Sequence, residues 1–326
     1  MGIFSRKNRT QTTANIPATD SPNARPVPDR PRILSRAPFV YDANLQPAVS
    51  LKKVEQAAQS AQTLPQSGVS LIKGYQTANK LFADENLTGV RIQVIALVDG
   101  SGSMKREYTR PDRNTPSMVE KMLIRALGFG LTIDEDGSIP VIVYGNTVSD
   151  PVDIDLNNYE NVGDRLAPDF WSTNMAGALQ TAVDMAVESG KLTLIINITD
   201  GDPSNPQATK KVLYQSAGHP IMVKNLAIKS VPFLKEVDDE LSKYKIRRDP
   251  DGKPLKDANG RLVIDIFPDA PRLVDNVDSQ AIDPYSASEE AFIKAMVEEI
   301  SDCLEVMGRV GILTDVPGHA QEYELS

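Results

Sequence analysis

The feature that most constrains the fold is a short apolar segment at residues 92–99. Every residue in it is apolar except Gln93 and Asp99, and β-branched Ile and Val dominate. Such a run is too short to span a membrane and is typical of a central strand covered on both faces. Asp99 therefore lies at the carboxyl end of a strand, which is the edge where open α/β sheets bind ligands.

A turn rich in Gly and Ser follows this strand. Asp99, Ser101 and Ser103 alternate with Gly100 and Gly102, so three small oxygen ligands share one side of a turn whose backbone can bend closely. Mg2+ and other hard cations prefer such ligands, with water completing the coordination sphere. The same residues also suit an ordinary strand-to-helix turn in which the side chains bind backbone donors. The spacing alone leaves both interpretations open.

A second apolar segment, residues 192–200, ends at another carboxylate, Asp200. Because strands and helices alternate along the chain, we expect Asp99 and Asp200 to meet at one edge of a parallel sheet. Two carboxylates brought together without a cation between them repel, and each raises the pKa of the other. This physical argument favours a metal site at that edge.

Three short segments carry a specific pattern, in this order: Asp99-x-Ser101-x-Ser103, then Thr173, then Thr199-Asp200-Gly201. The pattern resembles that of the von Willebrand factor A domain, and the resemblance covers about residues 91–303. It implies a metal-ion-dependent adhesion site made of five side chains: Asp99, Ser101, Ser103, Thr173 and Asp200. In that family a divalent cation, Mg2+ or else Mn2+ or Ca2+, keeps a coordination position open for a partner protein's carboxylate.

The resemblance also implies a role for each ligand. Ser101 and Ser103 bind the cation directly, and Thr173 binds it directly or through water. Asp99 and Asp200 bind directly or through water and supply negative charge. A Glu or Asp of the partner completes the sphere, with an affinity that depends on how much positive charge the two Asp residues leave uncompensated.

Within this superfamily, the chain is most similar to the bacterial tellurium-resistance (Ter) group of A domains. The similarity rests on the turn at residues 99–104, on residues 273–276 and on the final helix. It implies a cytosolic stress-response or tellurite and toxic-ion resistance protein that acts within a complex.

The alternation of strands and helices predicts an α/β fold, with a doubly wound, mostly parallel sheet and helices on both faces. A hairpin across Gly145 and Asn146 adds one antiparallel edge strand. The predicted organisation is a disordered basic tail at 1–36, an N-terminal extension with helices at 37–90, the A domain at 91–306 with an inserted hairpin at about 245–267, and a C-terminal tail at 307–326.

The C-terminal half gives three further expectations. Residues 231–244 have a helical pattern, and residues 272–277 are typical of a last edge strand. Residues 286–306 predict a single helix that Ser286 caps, with Glu289 at the capping-box position.

Two segments beside the expected metal allow two interpretations each. Phe170 and Trp171 could contact a ligand, but large aromatic residues usually anchor loops to the core, so anchoring is favoured. The polar segment 105–116 either selects the partner or forms a solvated connection.

Charge and composition exclude several classes of protein. The net charge is −9 although residues 1–36 carry +5, so the body is acidic and a nucleic-acid-binding fold is excluded. The basic tail is typical of a disordered leader, with weak contact to acidic surfaces as the alternative. The single cysteine, Cys303, cannot form an internal disulfide and is expected in the core. With no membrane-spanning run and no signal peptide, we expect a cytoplasmic protein.

The sequence contains few residues that suit a catalytic site. The sequence contains two histidines, His219 and His319, and neither a Walker A nor a Gly-x-Gly-x-x-Gly motif. The enzymatic competitor is a phosphohydrolase of the haloacid-dehalogenase type, whose nucleophilic Asp is followed two residues later by a second Asp. Ser101 stands at that position here. We therefore predict a binding module and no enzyme, with a metal-dependent phosphohydrolase or a scaffold that binds no metal as alternatives.

Overall fold

The structure is a computed structural model that describes residues 30–41, 47–60 and 65–316. Most of the predicted basic tail, residues 1–29, lies outside the described residues, as does the end of the predicted C-terminal tail, residues 317–326. Within these three ranges, every helix is too short or too polar to cross a lipid bilayer.

A six-stranded sheet lies at the centre, beside a three-stranded and a two-stranded sheet. In chain order, the strands of the described residues are β1 (Ala37–Pro38), β2 (Gln93–Asp99), β3 (Ser138–Tyr144), β4 (Val152–Asp155), β5 (Thr193–Thr199), β6 (Ile221–Ala227), β7 (Ser242–Ile246), β8 (Ile264–Ile266), β9 (Arg272–Val274), β10 (Val277–Ala281) and β11 (Leu313–Thr314). The central sheet has the order β10-β6-β5-β2-β3-β4, and only the β3–β4 pair in it is antiparallel. The predicted fold class is confirmed.

Helices cover both faces of this sheet. They are α1 (Leu51–Ser60), α2 (Pro65–Asp84), α3 (Lys105–Tyr108), α4 (Met118–Ile133), α5 (Val162–Arg165), α6 (Met175–Ser189), α7 (Pro206–Ser216), α8 (Pro232–Asp239), α9 (Glu289–Val297) and α10 (Ile300–Val310). Helix α4 begins with a capping box that Ser117 and Glu120 form at its first turn.

The central strand β2 contributes to two separate cores. Val94, Ala96 and Val98 pack in the core that holds α2, α4, α9 and α10. Ile95 and Leu97 pack in the core that holds α6, α7 and α8. Because side chains alternate along a strand, an apolar residue at nearly every position is what a sheet covered on both faces requires.

The functional edge of the sheet follows from its connections. From β2 the chain crosses over to β3 on one side, and it later returns to β5 on the other side of β2. Both crossovers start or end beside β2, so the carboxyl ends of β2 and β5 border the topological switch point, where open α/β sheets hold their ligands. Asp99 ends β2 and Asp200 follows β5 directly.

Two predictions about the C-terminal half are wrong in their details. The helix expected at 231–244 ends at Asp239, and the next residues form β7, which pairs with β8 on one side and β9 on the other. Pairing on both edges overrides the helical pattern there. The last edge strand of the central sheet is β10, because the segment 272–274 pairs with β7 instead.

The helix expected at 286–306 is divided into α9 and α10. Its N-cap is Ser288 rather than Ser286, since the Ser288 hydroxyl accepts the Ala291 N–H at 3.1 Å. At the break, Glu299 has a φ of +63°, and the ammonium of Lys224 donates to the Glu298 carbonyl. That carbonyl is thereby satisfied without a continuous helix.

The two ends of the described chain are tied together by a terminal clasp, which is the parallel pair of β1 and β11. Residues 30–36, assigned by sequence to the disordered tail, instead follow the body of the protein. Leu34 donates its N–H to the Gly218 carbonyl at 2.7 Å, and Arg36 Nε donates to the Gly311 carbonyl at 2.9 Å. Such contacts with distant carbonyl groups leave no pattern in the local sequence.

Candidate metal centre

Asp99 is held rigidly where β2 ends. Its carboxylate is 0% exposed, with Oδ1 accepting the Ser101 N–H at 2.8 Å and Oδ2 accepting the Thr199 hydroxyl at 2.6 Å. The first bond closes the turn that follows the strand, and the second joins β2 to the end of β5. Asp99 therefore fixes the relative position of the two loops at the switch point.

Asp200 lies on the opposite side of the same site. The Ser103 hydroxyl donates to Asp200 Oδ1 at 2.6 Å, and the hydroxyls of Ser101 and Ser103 are 3.2 Å apart. The ammonium of Lys229 donates to Asp200 Oδ2 at 3.1 Å. Four of the five residues that the sequence nominates therefore form one hydrogen-bonded network.

Thr173, the fifth nominated residue, is attached to this network through the backbone. Its N–H donates to the Ser204 hydroxyl at 2.9 Å, and its carbonyl accepts the Ser204 N–H at 2.9 Å. Ser204 belongs to the loop that follows Asp200. The structure therefore connects the Thr173 loop to the Asp200 loop, while the Thr173 hydroxyl makes no hydrogen bond among the described contacts.

The glycine of the Ser-Gly-Ser turn allows the third loop to approach. A Cβ on Gly102 would lie 3.1 Å from the carbonyl oxygen of Phe170 and 4.0 Å from that of Trp171. The backbone of residues 170–171 therefore packs against the middle of the turn, between the two serines. A larger residue at Gly102 would push this loop away from the site.

Negative charge at the site is only partly compensated. Burial raises the pKa of Asp99, hydrogen bonds from Thr199 and Ser101 offset part of this effect, and the charge of Asp200 raises the pKa further. Burial also raises the pKa values of Tyr108 and Tyr144, and the negative charge of Asp99 raises both of them further. The repulsion between carboxylates expected from the sequence is thus present.

These side chains fit a small divalent cation. Two buried carboxylates flank two hydroxyls, and all four are hard oxygen donors of the kind that Mg2+, Mn2+ and Ca2+ accept. Across the described ranges, no group of three or more His, Cys, Asp or Glu side chains is placed to hold a metal. Serine and threonine hydroxyls would therefore have to supply the other protein ligands.

The segment 105–116 is attached to the body rather than simply solvated. Glu107 is buried and accepts the Tyr285 hydroxyl at 3.3 Å, and Arg110 pairs with Glu120. Lys105 and Arg106, by contrast, are exposed directly after the serine turn. This segment therefore presents two positive side chains beside the site.

The prediction that Trp171 anchors its loop is wrong. Its side chain is 81% exposed, whereas the neighbouring Phe170 ring packs edge-on against Tyr108 at a centroid distance of 5.6 Å. Sequence reasoning also missed Lys229, which follows β6 by two residues. Its position just past the carboxyl end of a parallel strand, at the same edge as both aspartates, is the signal that could have identified it.

A doubly wound sheet with two aspartates and three hydroxyl residues in the loops at its switch point defines the von Willebrand factor A class of domain. Residues 91–246 match the family described as vWA-TerF-like, the A domain found in the TerF C terminus. The chain thus carries a TerF-like von Willebrand factor A domain, of a class typical of protein-interaction modules. No curated protein matches the sequence.

Several solved structures are similar to this chain at low identity. The manganese-loaded TRAP protein of Plasmodium vivax is 15% identical over 64% of this chain and 73% of its own, with a TM-score of 0.40. Proximal thread matrix protein 1 from the mussel byssus is 13% identical over 46% and 42%, with a TM-score of 0.37. The ArnB paralog VWA2 of Sulfolobus acidocaldarius is 15% identical over 45% and 38%, with a TM-score of 0.31.

Proposed function

We propose that the chain is a divalent-cation-dependent protein-binding module. The observation that carries this proposal is the network at the switch point, in which the hydroxyls of Ser101 and Ser103 lie between the buried carboxylates of Asp99 and Asp200. Hard oxygen donors of this kind, arranged around uncompensated negative charge, are what a small divalent cation selects.

Each side chain has a definite task in this proposal. Ser101, Ser103 and Thr173 would hold the cation, and Asp99 and Asp200 would supply the negative charge that retains it. A bound cation supplies an electrophilic coordination position for a carboxylate of a partner protein. The hydrogen bonds from Thr199 and from the Ser101 backbone keep Asp99 in place, so the site is organised before binding.

We further propose Mg2+ as the cation, with Mn2+ or Ca2+ as alternatives, and a cytoplasmic role in a bacterial stress or tellurite and toxic-ion resistance complex. The TerF-like match of residues 91–246 supports this setting. The partner is a protein with an acidic residue at its contact surface.

An enzymatic role is not favoured by the geometry of Asp99. Both of its oxygens accept hydrogen bonds and its side chain is fully buried, which leaves it poorly placed to attack a phosphate ester. We therefore propose a binding module rather than a phosphohydrolase. Metal-dependent release of phosphate from p-nitrophenyl phosphate, lost in Asp99→Asn, would contradict this proposal.

The test is calorimetric titration of the metal-stripped full chain with Mg2+, Mn2+ and Ca2+. We expect one-site binding that disappears in the Asp99→Ala/Asp200→Ala variant. The control is Asp84→Ala/Glu85→Ala, which removes the same charge from two exposed adjacent residues at the end of α2. Equal binding by both double variants would refute a metal site at the switch point and leave the scaffold alternative.

A further inference from the structure

Trp171 is the most exposed large apolar side chain among the described residues, at 81%. An indole usually contributes to the core or to an interface, since its large apolar surface is unfavourable in water. Tryptophan is also enriched among the residues that dominate binding energy in protein interfaces. Single exposed apolar side chains are common on protein surfaces, so it is the position of Trp171 beside the metal centre that indicates a binding role.

The loop around Trp171 is constructed so that the indole points outward. The Asp169 carboxylate accepts the N–H groups of Asn146, Thr147 and Trp171 at 3.0, 3.0 and 3.1 Å. Phe170 then adopts a φ of +56°, which is strained for an aromatic residue, and its ring packs against Tyr108. Phe170 anchors the loop, which frees Trp171 for a contact outside the protein.

Trp171, which carries the exposed indole, lies beside the serine turn of the metal centre. Its own carbonyl oxygen is 4.0 Å from the Cβ position of Gly102, between the two serine ligands, and Thr173 follows two residues later. If a partner peptide binds the cation through a carboxylate, the residues next to that carboxylate would therefore come close to Trp171.

The surroundings of the metal centre also carry positive charge, although the protein as a whole has a net charge of −9. Lys105 and Arg106 are exposed directly after the serine turn, and the Lys229 side chain is 62% exposed beside Asp200. Positive side chains of this kind attract acidic chains and orient them during encounter. The positive side chains therefore favour an acidic peptide, and the indole favours a peptide that also carries an apolar side chain.

We propose that the metal centre and Trp171 together recognise an acidic peptide segment of another protein, in which the coordinating Asp or Glu is adjacent to an aliphatic or aromatic side chain that packs on the indole. This inference rests on the proposed metal-dependent binding, to which it adds the sequence class of the partner. Trp171 acts as a specificity-determining residue and does not bind the cation.

The test begins with random dodecapeptides displayed on phage and selected on the Mg2+-loaded full chain. We expect enriched peptides with an acidic residue next to an apolar one. Trp171 is the only tryptophan in the sequence, so its fluorescence reports this site alone. Titration with a synthetic copy of an enriched peptide should shift its emission to shorter wavelength, because the indole becomes buried.

Substitutions test recognition by Trp171 separately from metal binding. Trp171→Ala should weaken peptide binding at least about tenfold, and Trp171→Phe should restore part of it, while calorimetric Mg2+ binding stays unchanged. The control is Val69→Ala, at an exposed apolar residue on α2. Metal-dependent peptide binding with no emission shift and no loss in Trp171→Ala would overturn the inference and leave the proposed function standing. Peptide binding that persists in EDTA, or no enrichment at all, would overturn the inference as well.

Discussion

Two groups of carboxylates in this fold are neutralised in different ways. At the metal centre, Asp99 and Asp200 meet hydroxyls and one exposed lysine. The second group, which we term the ionic cluster, lies where β6, β9, β10 and α10 meet beside the end of α8. Three of its four carboxylates, those of Asp275, Asp278 and Glu299, pair with arginine or lysine side chains. Its members are Asp238, Asp275, Asp278 and Glu299 with Lys224, Arg248 and Arg272.

The difference lies in where the positive charge comes from. In the ionic cluster, Lys224 and Arg272 are themselves buried, so the compensating charges are permanent parts of the folded chain. At the metal centre, the ammonium that pairs with Asp200 within the described part of the chain belongs to Lys229, which is mostly exposed and can leave at small cost. Carboxylates neutralised by buried cations of the same chain stabilise the fold, whereas carboxylates that lack such cations can accept a positive charge from solution.

The largest effect on stability is expected when Lys224, a buried positive charge of the ionic cluster, is removed. Lys224→Met leaves Asp278 buried without its partner and removes the donor to the Glu298 carbonyl. We expect the free energy of unfolding to fall by about 3–5 kcal/mol, measured by urea denaturation. Lys235→Met, on the exposed face of α8, is the control and should have little effect. A loss below about 1 kcal/mol would show that the cluster does not depend on its internal cation.

The next prediction concerns the divalent cation, which can bind to the metal centre from solution and leave it again. Mg2+ at 100 times its dissociation constant should raise the free energy of unfolding by about 2.7 kcal/mol, because the cation binds the folded chain only. Thermal and urea denaturation with and without EDTA measure this gain. It should vanish in Asp99→Ala/Asp200→Ala, and an equal gain in that variant would place the cation elsewhere.

A smaller effect is expected from Asp238, one of the carboxyl groups of the ionic cluster. Burial raises the pKa of Asp238 from 3.8 to about 7, with further contributions from the charges of Asp278, Asp275 and Glu299. Since the folded chain holds this proton more tightly than the unfolded chain does, stability falls as pH rises from about 4 to about 7.

Asp238→Asn removes that penalty. We expect a gain of about 2 kcal/mol at pH 8 and only about 0.5 kcal/mol at pH 4.5, where the wild-type carboxyl is protonated when folded; three pKa units set an upper bound of about 4 kcal/mol. Denaturation at the two pH values measures the difference. Asp239→Asn, at the exposed neighbour, is the control. A gain that is the same at both pH values would contradict the assignment.

The smallest effect should come from Lys229. Lys229→Met removes an exposed ammonium that competes for Asp200, so Mg2+ should bind roughly threefold more tightly at low salt, with the difference shrinking as salt screens the pair. Calorimetry at two ionic strengths tests this. Weaker binding in Lys229→Met than in Lys235→Met would show that Lys229 assists the site instead.

The sequence predicted well those parts of the fold that local patterns determine. The apolar runs of β2 and β5, each with an aspartate at its carboxyl end, predicted the central strands and brought both carboxylates to one edge. The antiparallel pairing of β3 with β4 was equally predictable, because it depends on residues close in sequence.

The rest could not be predicted because distant partners determine it. The helical pattern around residue 240 gave way to strand pairing with β8 and β9, and the last helix breaks where Lys224, more than seventy residues earlier, binds the Glu298 carbonyl. Trp171 was assigned to the core because nothing local shows that Phe170 takes the anchoring role. The predicted domain boundaries and the metal-ligand roles stay predictions.

The terminal clasp gives the domain a mechanical property. Ala37 and Phe39 donate their N–H groups to the carbonyls of Ile312 and Thr314, at 3.2 and 2.8 Å, so the two flanks run parallel and are joined side by side. Tension applied between the flanks would load these two bonds in shear before it reached the central sheet.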